Sequence, residues 1–131
     1  MSNENAAVVL DTALGLHSMN GNVRLYCRLL KVYRDESAIS LPALHSALAE
    51  GDAESIEHLA HRLKGGSGTL GLPTVQQAAQ ALELAAKQGA AAGQLTALLL
   101  SLESIQQQGI EAIAEYLALA DTSTPEGGSA S

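Results

Sequence analysis

Apolar residues recur three and four positions apart along most of the chain, a spacing that places side chains on one face of a helix. Turn-forming residues interrupt this pattern at Asn20-Gly21-Asn22, at Gly51-Asp52 and between Gly89 and Gly93. The pattern predicts helices over residues 8–19 and 22–37, from caps at Ser40 and Asp52, from Leu72-Pro73 onward, and over residues 94–120. Short connections between long amphipathic helices favour antiparallel neighbours. We therefore predict an all-α fold, an up-and-down antiparallel four-helix bundle with one or two additional short helices.

The composition supports a single helical domain. Hydrophobic residues make up 47% of the 131 positions, mostly as alanine and leucine, with no phenylalanine or tryptophan. Such residues favour helices over strands, and a chain of this length can bury one core. We predict a helical domain over residues 8–120, a flexible N-terminus at residues 1–7 and a disordered tail at residues 121–131, where TSTPEGGSAS offers little apolar surface to bury.

Several polar or reactive residues have ordinary structural interpretations. The only cysteine, Cys27, cannot form an internal disulfide, which favours a reducing compartment and a role as a small buried hydrophobe. His17 and His45 are predicted to be partly exposed, and residues 106–108, all glutamine, to be a solvated stretch of the last helix.

The charge excludes some partners. A net charge of −7, with seven basic residues scattered along the chain, disfavours binding to a phosphate backbone, so we predict no nucleic-acid partner.

The N-terminus lacks the basic start of a signal peptide, and no apolar run approaches the ~18 residues that span a bilayer. We predict no membrane contact by this segment and a cytoplasmic location.

The segment HRLKGGSGTLG at residues 61–71 places four glycines within seven positions shortly after a histidine. Each glycine inside a helix costs roughly 1 kcal/mol relative to alanine, so this stretch requires a compensating purpose. At about 100° per residue, Ile56, Leu63 and Leu70 fall on the inward face, and His61 lies at the centre of the opposite face. The pattern therefore predicts an exposed imidazole and not a core histidine.

The residues around His61 suit a phosphoryl group. A neutral imidazole is nucleophilic near physiological pH and can attack an acyl phosphate. Lys64 lies one turn further on, where its ammonium can reach an anion attached to the ring. Gly65 and Gly68 flank the same face and leave an approach to the ring that carries no side chains. Because phosphoryl transfer depends mainly on positioning and charge neutralisation, this arrangement predicts a phosphoryl-accepting histidine.

The segment AHRLKGGSGTLG resembles the signature of histidine-containing phosphotransfer (HPt) domains, roughly His-x-Leu-Lys-Gly, small residues, then Leu-Gly. The similarity continues through the two preceding helices and through LPTVQQAAQALELAAKQG downstream, and it covers roughly residues 8–118. The resemblance implies a small helical domain whose central four-helix bundle displays the active histidine on its side.

Carried over position by position, the resemblance implies that His61 is phosphorylated through Nε2 and that Lys64 stabilises the phosphoryl group. It implies that Gly65 and Gly68 are the small positions at which a receiver domain docks. Three further residues border the site and are candidate partner contacts: His58, Arg62 and Glu83. Glu83 stands where some members of the family carry glutamine near the active histidine, and its acidic character argues against a direct phosphate contact.

HPt domains relay phosphoryl groups between the aspartates of receiver domains and neither bind ATP nor phosphorylate themselves. The sequence agrees, because it contains no Walker A motif and no kinase glycine-rich loop. The resemblance implies a monomeric phosphocarrier without kinase activity, whose partners are response-regulator receiver domains and a hybrid sensor histidine kinase. No cofactor is expected, since the Mg²⁺ that assists transfer belongs to the receiver. The chain is expected to be a free-standing carrier, the cytoplasmic C-terminal module of a membrane-bound hybrid kinase, or the phosphorylated domain of a chemotaxis-type kinase.

Two alternatives come from other functional classes. A non-catalytic adaptor would keep the fold and bind receiver domains without being phosphorylated, although the presence of His61, Lys64 and the glycines argues against it. A metal-binding bundle could use the spacing of Glu54, Glu57, His58 and His61. These four ligands all lie on one helix, however, and no Glu-x-x-His motif on another helix completes the site.

Overall fold

A computed structural model of the chain describes residues 9–123, and within them the chain forms helices and no strand. The helices are α1 (Thr12–Ser18), α2 (Val23–Glu50), α3 (Ala53–Leu70), α4 (Pro73–Lys87) and α5 (Ala92–Ser123). The four longer helices form the bundle: α3 packs against α2 and α4, and α5 closes it by packing against the same two helices. The predicted all-α bundle is confirmed. None of the described helices is long and apolar enough to cross a bilayer.

The core lies between the four long helices and consists mainly of aliphatic side chains. Its fully buried members include Leu30, Leu44, Ile56, Leu82, Leu99, Leu102 and Ile113. Tyr26 adds a buried polar contact, because its hydroxyl donates to the Leu70 carbonyl at 2.7 Å while its ring meets the edge of Tyr116. Burial raises the pKa of the Tyr26 hydroxyl to about 12, so the hydroxyl remains a donor at neutral pH.

Residues with specific backbone roles define the two ends of α3, the helix that carries His61. Asp52 caps its start, where the carboxylate accepts from the Ser55 N–H at 3.1 Å. Gly71 ends the helix in the left-handed region with a φ of 91°. Its carbonyl accepts from the Asp11 N–H at 2.6 Å, and a side chain at residue 71 would collide with the Asp11 carbonyl oxygen. The start of α1 is therefore fixed to the C-terminal end of α3.

The predicted break between residues 37 and 40 is wrong, because α2 continues without interruption from Val23 to Glu50. The inward stripe remains in phase through this region, with Tyr33, Ser37 and Leu44 all buried. Burial of this continuous stripe outweighs the local cost of Pro42, which lies in the helix interior and not in a first turn. Pro42 has no N–H to donate to the carbonyl of Ala38, and that residue is exposed, so water can reach the carbonyl.

We expect Pro42→Ala to raise the free energy of unfolding by about 1–3 kcal/mol, because alanine restores a helix hydrogen bond and removes the ring clash of an interior proline. Pro73→Ala is the matched control, because Pro73 occupies the first turn of α4, where a missing N–H costs little. Chemical denaturation of both variants provides the measurement. An equal effect at the two positions would contradict the expectation.

The predicted solvation of residues 106–108 is wrong for Gln106, which is only 1% exposed, whereas Gln107 and Gln108 lie on the surface. The Tyr33 hydroxyl donates to Gln106 Oε1 at 2.8 Å, and burial raises the pKa of that hydroxyl. Gln106 Nε2 has no partner among the described residues. The glutamine therefore joins α2 to α5 through one buried hydrogen bond.

The remaining structural predictions differ from the structure in smaller ways. His17 and His45 are both exposed, and His45 approaches Glu103 of α5, with Nε2 3.0 Å from Oε1. Cys27 is half-buried and packs against the core. The last helix begins at Ala92 and reaches Ser123, a few residues beyond the predicted range at each end. The flexible N-terminus predicted at residues 1–7 and the predicted tail from residue 124 onward lie outside the described residues.

Candidate functional site

His61 lies on the outer surface of α3, as the helical period predicts, with 63% of its side chain exposed. The opposite face of the same helix is held in the core by Ile56, Ala60 and Leu63, all at most 5% exposed. This anchoring fixes the rotation of α3 about its axis, so the imidazole is presented to an approaching molecule.

Glu83 of α4 contacts both His61 and Lys64. Its Oε2 lies 2.9 Å from Nδ1 of His61, and its Oε1 lies 2.8 Å from Nζ of Lys64. Glu83 itself is only 7% exposed. One buried carboxylate therefore holds the two outward-facing side chains that the sequence predicts to act together.

The charge state of Glu83 determines which nitrogen of His61 carries the proton. The hydrogen bond from Lys64, and a further one from His61, hold the pKa of Glu83 below its usual value of 4.5 against the opposing effect of burial. An ionised carboxylate can only accept hydrogen bonds, so Nδ1 of His61 must donate. In the neutral ring the lone pair then lies on Nε2, which bonds to no other described residue.

Lys64 is less exposed than the sequence indicates. Its side chain is 29% exposed and leans toward α4, where Glu83 holds the ammonium. Beside it lies a cleft of about 200 Å³ lined by Lys64, Gln80, Glu83, Leu84 and Lys87. The ammonium of Lys64 thus lies between a buried anion and an open cleft, one helical turn from His61.

The glycines of α3 have different surroundings. A side chain added at Gly65 would meet nothing within 4 Å, so this position is open surface beside His61. One added at Gly66 would lie 3.3 Å from the ring of Tyr33, consistent with close packing of α3 on α2. Gly68 lies on the outward side, but its side-chain space is occupied by the amide of Gln76 from α4. The surface free of side chains predicted at Gly65 and Gly68 therefore exists at Gly65 and is partly covered at Gly68.

The family model described as Hpt domain matches residues 28–120 of this chain. The chain belongs to the Hpt domain family. It is a histidine phosphotransfer domain that acts in a two-component phosphorelay, as its resemblance to the family implied. No curated protein sequence matches this HPt domain.

Two solved structures are similar to this HPt domain over nearly their whole length. The HPt domain of an Hpt sensor hybrid histidine kinase from Shewanella has a TM-score of 0.77 and 25% identity, with coverage of 85% of this chain and 95% of that one. Histidine-containing phosphotransfer protein B from Pseudomonas aeruginosa PAO1 has a TM-score of 0.78 and 26% identity, with coverage of 86% and 97%. The bundle described above is therefore an HPt bundle.

The other predicted contact residues lie at the rim of the site. Arg62 is exposed on the side of α3 that faces α2, where it borders a small depression with Glu36 and Ser40. His58 is exposed one turn before His61. Within residues 9–123, neither side chain bonds to the cluster of His61, Lys64 and Glu83, so they border this HPt site without shaping it.

Sequence reasoning missed the contact that Glu83 makes with His61 and Lys64. Glu83 and His61 are 22 residues apart in the sequence, so the contact depends on how α3 and α4 pack. A signal existed nevertheless: Glu83 follows Leu82 and precedes Ala86 on the apolar face of α4. A carboxylate is seldom buried without a donor or cation beside it, and the nearest helix supplies Lys64.

The metal-binding alternative receives no support from the geometry. In the part of the chain that the structure describes, no three His, Cys, Asp or Glu side chains are grouped so that they could hold a metal ion. Glu57 instead faces Lys87, with 3.8 Å between Oε2 and Nζ.

Proposed function

We propose that His61 is the residue of this HPt domain that accepts the phosphoryl group, on its Nε2 atom. The observation that carries the proposal is the hydrogen bond between Nδ1 of His61 and the buried carboxylate of Glu83. This bond leaves the nucleophilic lone pair on Nε2 of a side chain that is 63% exposed. The outer nitrogen is thus both reactive and accessible.

In the proposed transfer, the imidazole ring of His61 keeps its proton throughout. The Nε2 lone pair attacks the phosphorus of an aspartyl phosphate on a receiver domain, and the N–P bond forms as the bond from phosphorus to the aspartate oxygen breaks. The aspartate carboxylate departs with the electron pair. The ring keeps its Nδ1 proton and becomes cationic, and the ionised Glu83 stabilises it across 2.9 Å. Attack by the aspartate of a second receiver reverses these changes.

Lys64 is proposed to stabilise the transferred group. Its ammonium can turn from Glu83 Oε1, 2.8 Å away, toward phosphoryl oxygens on His61 because both residues lie on the same face of α3. A flexible stem and a compact charge suit this exchange of partners. Charge neutralisation of this kind is a main component of catalysis in phosphoryl transfer.

We expect Lys64→Ala to slow phosphoryl transfer by roughly 10- to 100-fold, because one charged stabilising contact is lost. The domain should remain folded, with a stability loss of about 1 kcal/mol from removal of one partner of Glu83. Quenched time courses of phosphotransfer measure the transfer rate, and thermal melts measure the stability. Lys31→Ala, on the exposed surface of α2, is the charge-matched control, and an equal slowing in it would contradict a local role for Lys64.

The same proposal assigns the partner surface. Gly65 would be the point of closest approach for a receiver domain. Gly68, which Gln76 partly covers, would lie within the same surface, with Arg62 and His58 at its margin. We propose a cytoplasmic, monomeric phosphocarrier that has no kinase activity of its own and binds no cofactor, with Mg²⁺ supplied by the receiver. A hybrid sensor kinase would provide the upstream receiver.

The test is a phosphotransfer profile against a panel of purified receiver domains that have been phosphorylated with acetyl phosphate. The expected product is an acid-labile, base-stable label that mass spectrometry maps to His61. Incubation with ATP and Mg²⁺ alone should give no label. Receiver binding without any labelling would favour the adaptor alternative, and labelling by ATP alone would contradict the absence of kinase activity.

A further inference from the structure

The side chain of Gln76 on α4 packs over the backbone of Gly68, which has no side chain of its own. A side-chain carbon added at Gly68 would lie 2.6 Å from Nε2 of Gln76 and 3.0 Å from its Cδ, so the amide occupies the volume that a larger residue at position 68 would take. Gln76 is exposed, and its side-chain amide makes no hydrogen bond to another described residue. Two N–H donors and one carbonyl acceptor are therefore available at this surface.

This amide lies within reach of any domain that engages His61. Gly68 is seven residues beyond His61 on the same helix, which is about 10 Å along the axis. A standard interface covers about 800 Å² of each partner, equivalent to a disc of roughly 16 Å radius. An interface centred on His61 would therefore include Gln76.

We propose that Gln76 is a specificity-determining residue for the receiver domain that docks over His61. The inference rests on the proposed function, in which receivers approach this face. A receiver with a complementary polar group opposite Gln76 forms a hydrogen bond with the amide. A receiver with an apolar side chain at that point leaves the amide desolvated and without a hydrogen-bond partner. Such a mismatch penalises the wrong partner more than a match rewards the right one.

The first experiment compares Gln76→Ala with Gln77→Ala. Gln77 is an exposed glutamine one residue further along α4, so it points about 100° away from Gln76. With the receiver panel phosphorylated by acetyl phosphate, Gln76→Ala should lower kcat/KM for the preferred receiver by roughly three- to tenfold, the effect of one hydrogen bond. The loss should appear in KM, with the rate at saturation unchanged. For receivers that leave the amide unpaired, kcat/KM should rise by a similar or larger factor, because the substitution removes the penalty. Gln77→Ala should leave the whole profile unchanged.

The second experiment is a double-mutant cycle with Gly68→Ala, which displaces the amide of Gln76. Gly68→Ala alone should lower kcat/KM for the preferred receiver as much as Gln76→Ala does. The same substitution should lower kcat/KM less when residue 76 is already alanine. Thermal melts of the three variants verify that the helices remain folded.

The outcomes separate the inference from the proposed function. If the wild-type domain accepts phosphoryl groups while Gln76→Ala slows every receiver equally or behaves like Gln77→Ala, the specificity role is overturned. Fully additive effects of the two substitutions would also overturn it. If no receiver transfers a phosphoryl group to the wild-type domain, the proposed function itself fails.

Discussion

His61→Gln is expected to reduce phosphoryl transfer from receiver domains to background, a loss of at least about a thousandfold, because the substitution removes the nucleophile itself. The fold should survive. His61 is 63% exposed, and its one hydrogen bond in the described structure, to Glu83, can be replaced by the glutamine amide, so the stability change should stay within about 1 kcal/mol. Labelling assays and far-UV circular dichroism measure the two effects.

The matched control is His58→Gln, which changes an exposed histidine one turn earlier on the same helix. His58 makes no contact with Glu83, so its tautomer is not fixed by a buried carboxylate. Label should still form on His61 in this variant, and the rate at saturating receiver should equal that of the wild type, because a contact at the margin affects docking and not the chemical step. Base-stable label that persists in His61→Gln, or disappears in His58→Gln, would show that the wrong histidine has been assigned.

The outward position of His61 could be predicted because it depends on a single helix. The spacing of Ile56, Leu63 and Leu70 defines the buried face of α3. His61 lies on the opposite face, and this placement does not depend on how the other helices pack. The HPt signature around it likewise lies in one continuous segment. Features contained within one helix were therefore accessible from the sequence.

The errors arise where local preference and packing disagree. Pro42 suggests a helix start by its own chemistry, yet the buried stripe on either side of it keeps α2 continuous. Gln106 stands in a run of three glutamines that looks solvated, yet it is buried where the hydroxyl of Tyr33 supplies a hydrogen bond from another helix. In both cases burial against the other helices of the bundle outweighs the local preference of the residue.

The same limit applies to the candidate site. The outward residues His61 and Lys64 could be named from one motif, whereas the covering of Gly68 by Gln76 and the bridging role of Glu83 depend on how α3 and α4 lie side by side. Sequence spacing alone leaves the direction of a glutamine or glutamate side chain on the next helix open.

Glu83→Leu is expected to slow transfer more than Lys64→Ala does, because Glu83 contacts both His61 and Lys64. We expect a loss of about 100-fold, the upper end of the effect of removing the partner that orients a metal-binding histidine. Without the carboxylate, the His61 ring can rotate and the proton can move to Nε2, which removes the lone pair from the exposed side. Lys64 also loses the anion that holds it 2.8 Å away. Leucine fills most of the same volume, so a collapsed cavity should not account for the loss.

Glu83→Gln separates orientation from charge. The glutamine carbonyl can accept from Nδ1 of His61 and keep the tautomer, but it cannot neutralise the cationic ring or hold the Lys64 ammonium equally well. We expect a rate between those of the wild type and Glu83→Leu. Nitrogen chemical shifts of the imidazole provide an independent readout: the proton should stay on Nδ1 in the wild type and in Glu83→Gln, and be shared with Nε2 in Glu83→Leu. The same tautomer in all three proteins would contradict the positioning role.

The pH dependence of stability tests the charge of Glu83 directly. Because the folded state lowers the pKa of Glu83 below its usual 4.5, mainly through the hydrogen bond from Lys64, its ionised form stabilises the fold above about that pH. The contribution is lost as the pH falls through the lowered pKa, since the protonated carboxyl no longer carries the negative charge that strengthens both contacts. The melting temperature of the wild type should exceed that of Glu83→Gln at pH 7, and the difference should shrink as the pH falls below 4.5. A difference that stays constant over this range would mean that Glu83 contributes through its shape and not through its charge.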